Sequence, residues 1–355
     1  MHKTTRVVVL SPSFDPEQYK AWRDDDGNTL LHLAAWEGNL EAVKFLFPKV
    51  DINAKNNNGN TPLHFAASIP NNSQVITELA KELAKTGEID IMSNNGFTAL
   101  HYAAGTGQTK NVEALLKFQT EYNISDNDGR TALHIAAKEG KTEAVEALLK
   151  KGASSELADT HDKYTALHLA AMNGHNNAVV KLIKFGAVIN ATDNRGIAAI
   201  HMAALCDRPE VVVTLIKSGV NVDSQNGKYG DTALHMSVKK GNIEAIRALM
   251  NEGASVDIKN KKGETAIDIA NRIENESYRD AVINLLSAKS DITSESSKRI
   301  EIGALLNSPD NDILSHPASE PKRRPYTETG KEGPPRVASE DRADQLVGSG
   351  ARSLG

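Results

Sequence analysis

The sequence predicts an all-α repeat solenoid followed by a disordered tail, and three observations carry that reading. A nine-residue string recurs eight times at near-fixed spacing. Each copy pairs a small, Ala-rich segment with a second segment whose apolar residues fall on one helical face. From Ser287 onward the 355-residue chain holds ten Lys/Arg, eleven Asp/Glu and six of its twelve prolines, with few large apolar residues. A short fixed period marks stacked supersecondary units, and the tail composition cannot bury enough surface to offset chain entropy.

The copies begin GNTLLHLAA at Gly27, GNTPLHFAA at Gly59, GFTALHYAA at Gly96 and GRTALHIAA at Gly129. KYTALHLAA at Lys163, GIAAIHMAA at Gly196, GDTALHMSV at Gly230 and GETAIDIAN at Gly263 follow. One slot holds His32, His64, His101, His134, His168, His201, His235 and finally Asp268, at steps of 32, 37, 33, 34, 33, 34 and 33 residues. The Thr before each apolar run is placed to cap a helix, and Pro62 suits a first helical turn. Ala pairs such as Ala34-Ala35 and Ala136-Ala137 let neighbouring first helices approach closely. Sets such as Val112/Leu115/Leu116 and Val212/Leu215/Ile216 form the i, i+3, i+4 stripe of a core-facing second helix. Gly152, Gly186, Gly219 and Gly253 stand where those helices end in a left-handed residue, and the strings NNNG, NNG, NDG and DNRG form turns.

These residues resemble the ankyrin repeat family, whose T-P-L-H-x-A pattern at a 33-residue period is matched eight times over about residues 26–288, mostly with Ala in the Pro slot. The resemblance implies helix-turn-helix-hairpin units stacked into a curved array that binds proteins. It divides the chain into an N-terminal segment (1–25), a domain of eight repeats (26–288) and a tail (289–355).

Departures from the repeat are informative. The 37-residue step implies a lengthened second helix over Gln74 to Lys85. Lys163 occupies a Gly slot, and a rebuilt turn is expected there, since a non-Gly residue at positive φ costs on the order of 1 kcal/mol. Ala198 replaces a capping Thr, and Asp207-Arg208-Pro209 replaces a Gly-led turn. Asp268 with the polar run Asn271 to Glu276 fits a terminal cap.

Composition excludes several functions. Forty-one basic against 46 acidic residues give a net charge of −5, which argues against a nucleic-acid binder. A single cysteine, Cys206, excludes an internal disulfide framework, fits a reducing compartment and reads as an adventitious thiol rather than a nucleophile. No apolar run approaches a membrane span, so no membrane insertion is expected. Seven of eleven histidines sit in the repeat slot. Equivalent copies spread along a stack do not converge on one site, so each is read as structural, bonding across a repeat joint. No metal-binding, phosphate-loop or nucleophile-elbow motif occurs, and no cofactor is expected. Met1 to Leu10 reads as a short extended segment. In the tail, Ile300, Ile302, Leu305 and Leu306 allow a short helix or partner motif, and Lys322-Arg323-Arg324 reads as a solvated charge group.

The expected function is a non-catalytic, monomeric scaffold or adaptor in the cytoplasm that binds a partner protein through hairpins and first helices. The alternative is a secreted bacterial effector or targeted regulator whose tail directs delivery to a nucleus or host cell. The resemblance implies exposure for the two residues before the motif Gly, the one after it, and the two after the Ala pair. Most are polar, such as Asn57, Asn58 and Asn60. Tyr164, Met172, Ile197, Leu205 and Tyr229 are apolar and are expected to form one exposed stripe, flanked by His161, Asp162, Arg195 and Lys228, with Trp36 isolated in the first repeat. The competing expectation is that these side chains tuck into repeat joints.

Overall fold

The computed structural model describes residues 16–118 and 121–287. The expectations for Met1 to Leu10, for the tail and for its motifs lie outside the described residues. Helix α1 (Pro16–Ala21) precedes eight helix pairs. They are α2/α3 (Leu30–Trp36, Leu40–Leu46), α4/α5 (Pro62–Ser68, Ser73–Leu83), α6/α7 (Ala99–Thr106, Thr109–Leu115) and α8/α9 (Ala132–Lys138, Thr142–Lys150). The later pairs are α10/α11 (Ala166–Asn173, Asn176–Lys184), α12/α13 (Ala199–Leu205, Pro209–Lys217), α14/α15 (Ala233–Lys240, Ile243–Asn251) and α16/α17 (Ala266–Ala270, Glu276–Ser287). Among the described residues the only β-structure is isolated antiparallel bridges at hairpin necks, such as Ala158 with Thr165.

The chain divides into two compact units. One runs to Ala136 and takes in Glu146–Ser154; the other holds Ala137–Val145 and continues from Ser155. In the first unit α2, α4 and α6 pack in succession, as do α3, α5 and α7. In the second, α10, α12, α14 and α16 form one row and α11, α13, α15 and α17 the other. The Ala pairs are buried at these contacts, for instance Ala34, Ala35, Ala203 and Ala204 at 0% exposure. The second-helix stripes are equally closed, with Val112, Leu115, Val212 and Leu215 also at 0%.

Several second helices are tied to the preceding pair by their N-cap residue. Asn72 Nδ2 donates to Ala35 O at 2.7 Å, His175 Nε2 lies 2.9 Å from Lys138 O, and Asn242 Nδ2 donates to Leu205 O at 2.9 Å. The close approach explains the small turn residues. At Gly140, with φ +65°, a Cβ would lie 2.4 Å from His175 Nδ1.

The departures resolve in three ways. Helix α5 has 11 residues against seven in α3 and α7, so the long second repeat does lengthen its second helix. Lys163 corrects the expectation of a rebuilt turn, since it keeps the left-handed conformation of its glycine counterparts at φ 63°. The hairpin absorbs its extra residue elsewhere: Asp159 Oδ1 accepts from the N–H groups of both Asp162 (3.0 Å) and Tyr164 (3.1 Å), which fixes the turn around Lys163. Asp207 is also left-handed, at φ 51°, and its carboxylate accepts the Ala245 N–H at 2.8 Å.

Candidate functional site

The histidine slot is where catalysis would be sought, and its geometry is structural. The Thr29 N–H donates to His32 Nδ1 at 3.0 Å, and His32 Nε2 lies 2.9 Å from Asn60 O in the next repeat. A ring nitrogen facing a backbone N–H carries no proton, so the proton sits on Nε2 and is donated to the carbonyl. The same bridge joins His64 to Phe97 O (2.8 Å), His101 to Arg130 O (3.0 Å), His168 to Ile197 O (3.1 Å), His201 to Ser224 O (2.9 Å) and His235 to Glu264 O (3.0 Å). Burial holds His32, His64 and His101 at a pKa of about 4 and pushes His168, His201 and His235 below the ordinary value. The rings are therefore neutral at pH 7, with both nitrogens committed to backbone.

Two variants of the slot follow from this chemistry. Ala198 lacks the hydroxyl, yet its N–H still donates to His201 Nδ1 at 3.2 Å. Asp268 replaces the ring's acceptor side: its Oδ2 takes the N–H and the hydroxyl of Thr265, each at 2.8 Å. Those bonds hold its carboxyl below the usual range. Among the described residues no group of His, Cys, Asp or Glu is arranged to hold a metal. Cys206 is half-buried at the C-cap of α12. No described helix is long and apolar enough to cross a membrane.

The expected stripe is drawn together but does not stand open. Tyr164 and Ile197 are both 5% exposed and belong to one cluster with Leu169, Met202 and Met236. Met172 and Leu205 pack against it, half-buried. The exposed five-residue stripe is thereby corrected for Tyr164 and Ile197, and only Tyr229, 47% exposed, projects from a tip. The slot after the motif Gly is a joint position, not a solvent one. Asn28, Asn60 and Asp231 are buried there too. Each uses its side chain: Asn28 Oδ1 accepts from Asn56 Nδ2 at 2.8 Å, Asn60 Oδ1 from the Tyr102 hydroxyl at 3.1 Å, and Asp231 Oδ1 from Asn260 Nδ2 at 2.9 Å. An apolar residue in the same slot turns onto the neighbouring first helix instead. Leu169, Met202 and Met236, which complete the cluster, were signalled by the apolar residue between each His and the following small pair.

The expected flanking residues do meet. Arg195 donates to the Tyr164 hydroxyl at 2.6 Å and pairs with buried Asp193 at 2.9 Å. Burial pushes the Tyr164 pKa up to about 12, so it stays a neutral phenol. Asp162 O accepts from Asn194 N–H at 3.0 Å, and Arg195 O from Lys228 N–H at 3.1 Å. His161 is exposed and its carbonyl accepts from Asn194 Nδ2 at 3.1 Å. Hairpin tips five to seven are thus laced backbone to backbone. Lys228 Nζ stands 5.0 Å over the Tyr229 ring. Trp36, in the other unit, is half-buried and meets Phe65 edge-on at 6.0 Å between centroids.

Comparison with known proteins agrees with this geometry. The family model described as ankyrin repeats (3 copies) matches residues 9–85, 70–159, 155–226 and 214–296. The solved ankyrin repeat domain of Bcl-3, titled a unique member of the IkappaB protein family, is 26% identical, with a TM-score of 0.54 over 73% of this chain and 100% of that one. The human ASB11 ankyrin repeat domain, at 23% identity and a TM-score of 0.53 over 73% of this chain and 98% of that one, shares the fold. A search of curated proteins returns no match. With the family model covering most of its length and the His-backbone bridge recurring from repeat to repeat, the chain belongs to the ankyrin repeat family.

Proposed function

We propose that the chain is a non-catalytic protein-binding module, a monomeric adaptor whose second unit receives the partner on its hairpin tips and first-helix ends. Ankyrin repeats are in general protein–protein interaction modules. The observation that carries the reading here is the division of labour among side chains. Thr, His and the N-cap residues are consumed at the joints, while Tyr229 is held out at 47% exposure with a lysine over its ring. Tyrosine is a favoured interface anchor because it offers apolar area at small entropic cost. Residues 26–288 are the proposed binding domain, with 1–25 and 289–355 as flanking segments.

The reading is tested by affinity capture with the full chain and its Tyr229→Ala variant, each first checked for an unchanged melting temperature. Loss of a specific captured protein by the variant supports the site. Retention of every captured protein at full yield places the interface elsewhere.

A further inference from the structure

Resting on that protein-binding reading, we propose that the partner segment is acidic and lies along the hairpin tips of repeats six to eight. Basic side chains gather there: Arg195, Lys228, Lys259, Lys261 and Lys262. Their backbones are linked across the tips. Lys228 N–H donates to Arg195 O at 3.1 Å, Lys261 N–H to Tyr229 O at 2.9 Å, and Gln225 Nε2 to Lys259 O at 2.9 Å. The five positions therefore form one row inside one unit.

The four lysines of this row are not held in close ion pairs. Arg195 is spent on Asp193, while the other nearby carboxylates are engaged outside the row: Asp231 by Lys239 and Asn260, and Glu264 by Arg272. Lys261 Nζ meets only the neutral carbonyl of Gly227. Lys228, Lys259 and Lys262 are exposed and make no ion pair within 4 Å among the described residues, although Lys259 and Lys262 lie in the field of Asp268 and Glu264. The tips of the first unit are different in kind: Asp24, Asp25 and Asp26 in the first, Asn57 and Asn58 in the second, Asn94 and Asn95 in the third. The chain as a whole is negative, so the basic row is a local feature and not a reflection of composition.

Tyr229 sits within the row, which suits a segment that sets an apolar side chain beside its carboxylates. A nucleic acid is the less favoured occupant. Single strands are bound on several stacking aromatics in a long basic groove. Tyr229 is the only exposed aromatic in this row, and exposed Asp257 stands close in sequence to Lys259. Charge complementarity of this type sets encounter rate and register, so binding should weaken as salt rises.

The experiment is selection of a random peptide library on the full chain, followed by titration of an enriched synthetic peptide. Enriched peptides should carry an Asp/Glu excess. Lys228→Glu with Lys262→Glu should weaken binding by about tenfold or more, and the equal charge change Lys184→Glu with Lys217→Glu, at the ends of α11 and α13, should not. Enriched peptides without acidic excess, or indifferent to the tip reversal, overturn the acidic inference and leave the protein-binding reading standing. A library that enriches nothing overturns both. Labelled oligothymidylate bound with the same lysine dependence overturns the proposal in favour of a nucleic-acid site.

Discussion

Acidification should unfold this protein well above the pH at which carboxylates titrate, because its joints are built on neutral imidazoles. His32, His64 and His101 have pKa values of about 4 in the fold, since burial disfavours the charged ring. In the unfolded chain a histidine titrates near 6.5. A folded pKa below the unfolded one means that the unfolded chain binds more protons between the two values. Stability is therefore complete above about pH 6.5 and is lost as pH falls toward 4. At pH 5 the loss is about 2 kcal/mol per ring, or about 6 kcal/mol for the three, against a typical total of roughly 5–15 kcal/mol. Depressed carboxylates such as Asp268 lose their contribution only below the ordinary carboxylate pKa, so they do not act in this window. The assay is urea unfolding at pH 7, 6 and 5, followed by far-ultraviolet circular dichroism on the full chain. The urea midpoint should fall at each step, most steeply between pH 6 and 5. A midpoint that is flat or rising from pH 7 to 5 would refute the assignment of neutral, backbone-bridging rings.

Other substitutions separate the joint from the surface. His64→Ala should destabilise by about 3 kcal/mol, since it opens a cavity and strands the Thr61 N–H and the Phe97 carbonyl, and a chemical melt reads it directly. Ala198→Thr should stabilise by about 0.5–1 kcal/mol by restoring the hydroxyl that faces the ring in other repeats; no gain would show that the cap is already satisfied. Gly196→Ala should cost about 2 kcal/mol or more, because φ is +74° and the new Cβ would lie 2.5 Å from the Gly227 nitrogen, whereas Lys163→Gly should gain up to about 1 kcal/mol. Tyr164→Ala should lower stability by about 3 kcal/mol, in contrast to Tyr229→Ala, whose effect should be confined to binding.

The fold was legible because each element repeats its own signal. Thr before the apolar run, the Ala pair and the second-helix stripe each recur in register, so a weak local preference is confirmed several times over. The lengthened α5 could be read from one irregular step. The site was less legible because exposure in a stack depends on the neighbour. Tyr164 and Ile197 occupy a slot that looks external within one repeat. Packing of the adjacent first helix, with Leu169, Met202 and Met236, closes over it. Lys163 shows the same limit for backbone. Its departure from Gly is plain in the sequence, but the Asp159 carboxylate that keeps the turn in place is visible only in three dimensions.

The joint chemistry also bears on the proposal that binding collects at the tips. A repeat can vary only where a change does not break the bridge to the next unit. The Thr-His pair, the N-cap of the second helix and the slot after the Gly all reach across a joint, so a substitution there is felt in two repeats at once. Even the exceptions keep the bond: Ala198 retains its N–H donor to His201, and Asp268 supplies a carboxylate oxygen where the ring nitrogen would stand. Adjacent tips are tied by backbone bonds, as Lys228 is to Arg195 and Lys261 to Tyr229. A backbone bond is indifferent to the side chain that the residue carries. Some tip side chains add a bond of their own, as Arg195 and Lys261 do, but Tyr229 and Lys228 hang from backbone bonds alone and are open to change.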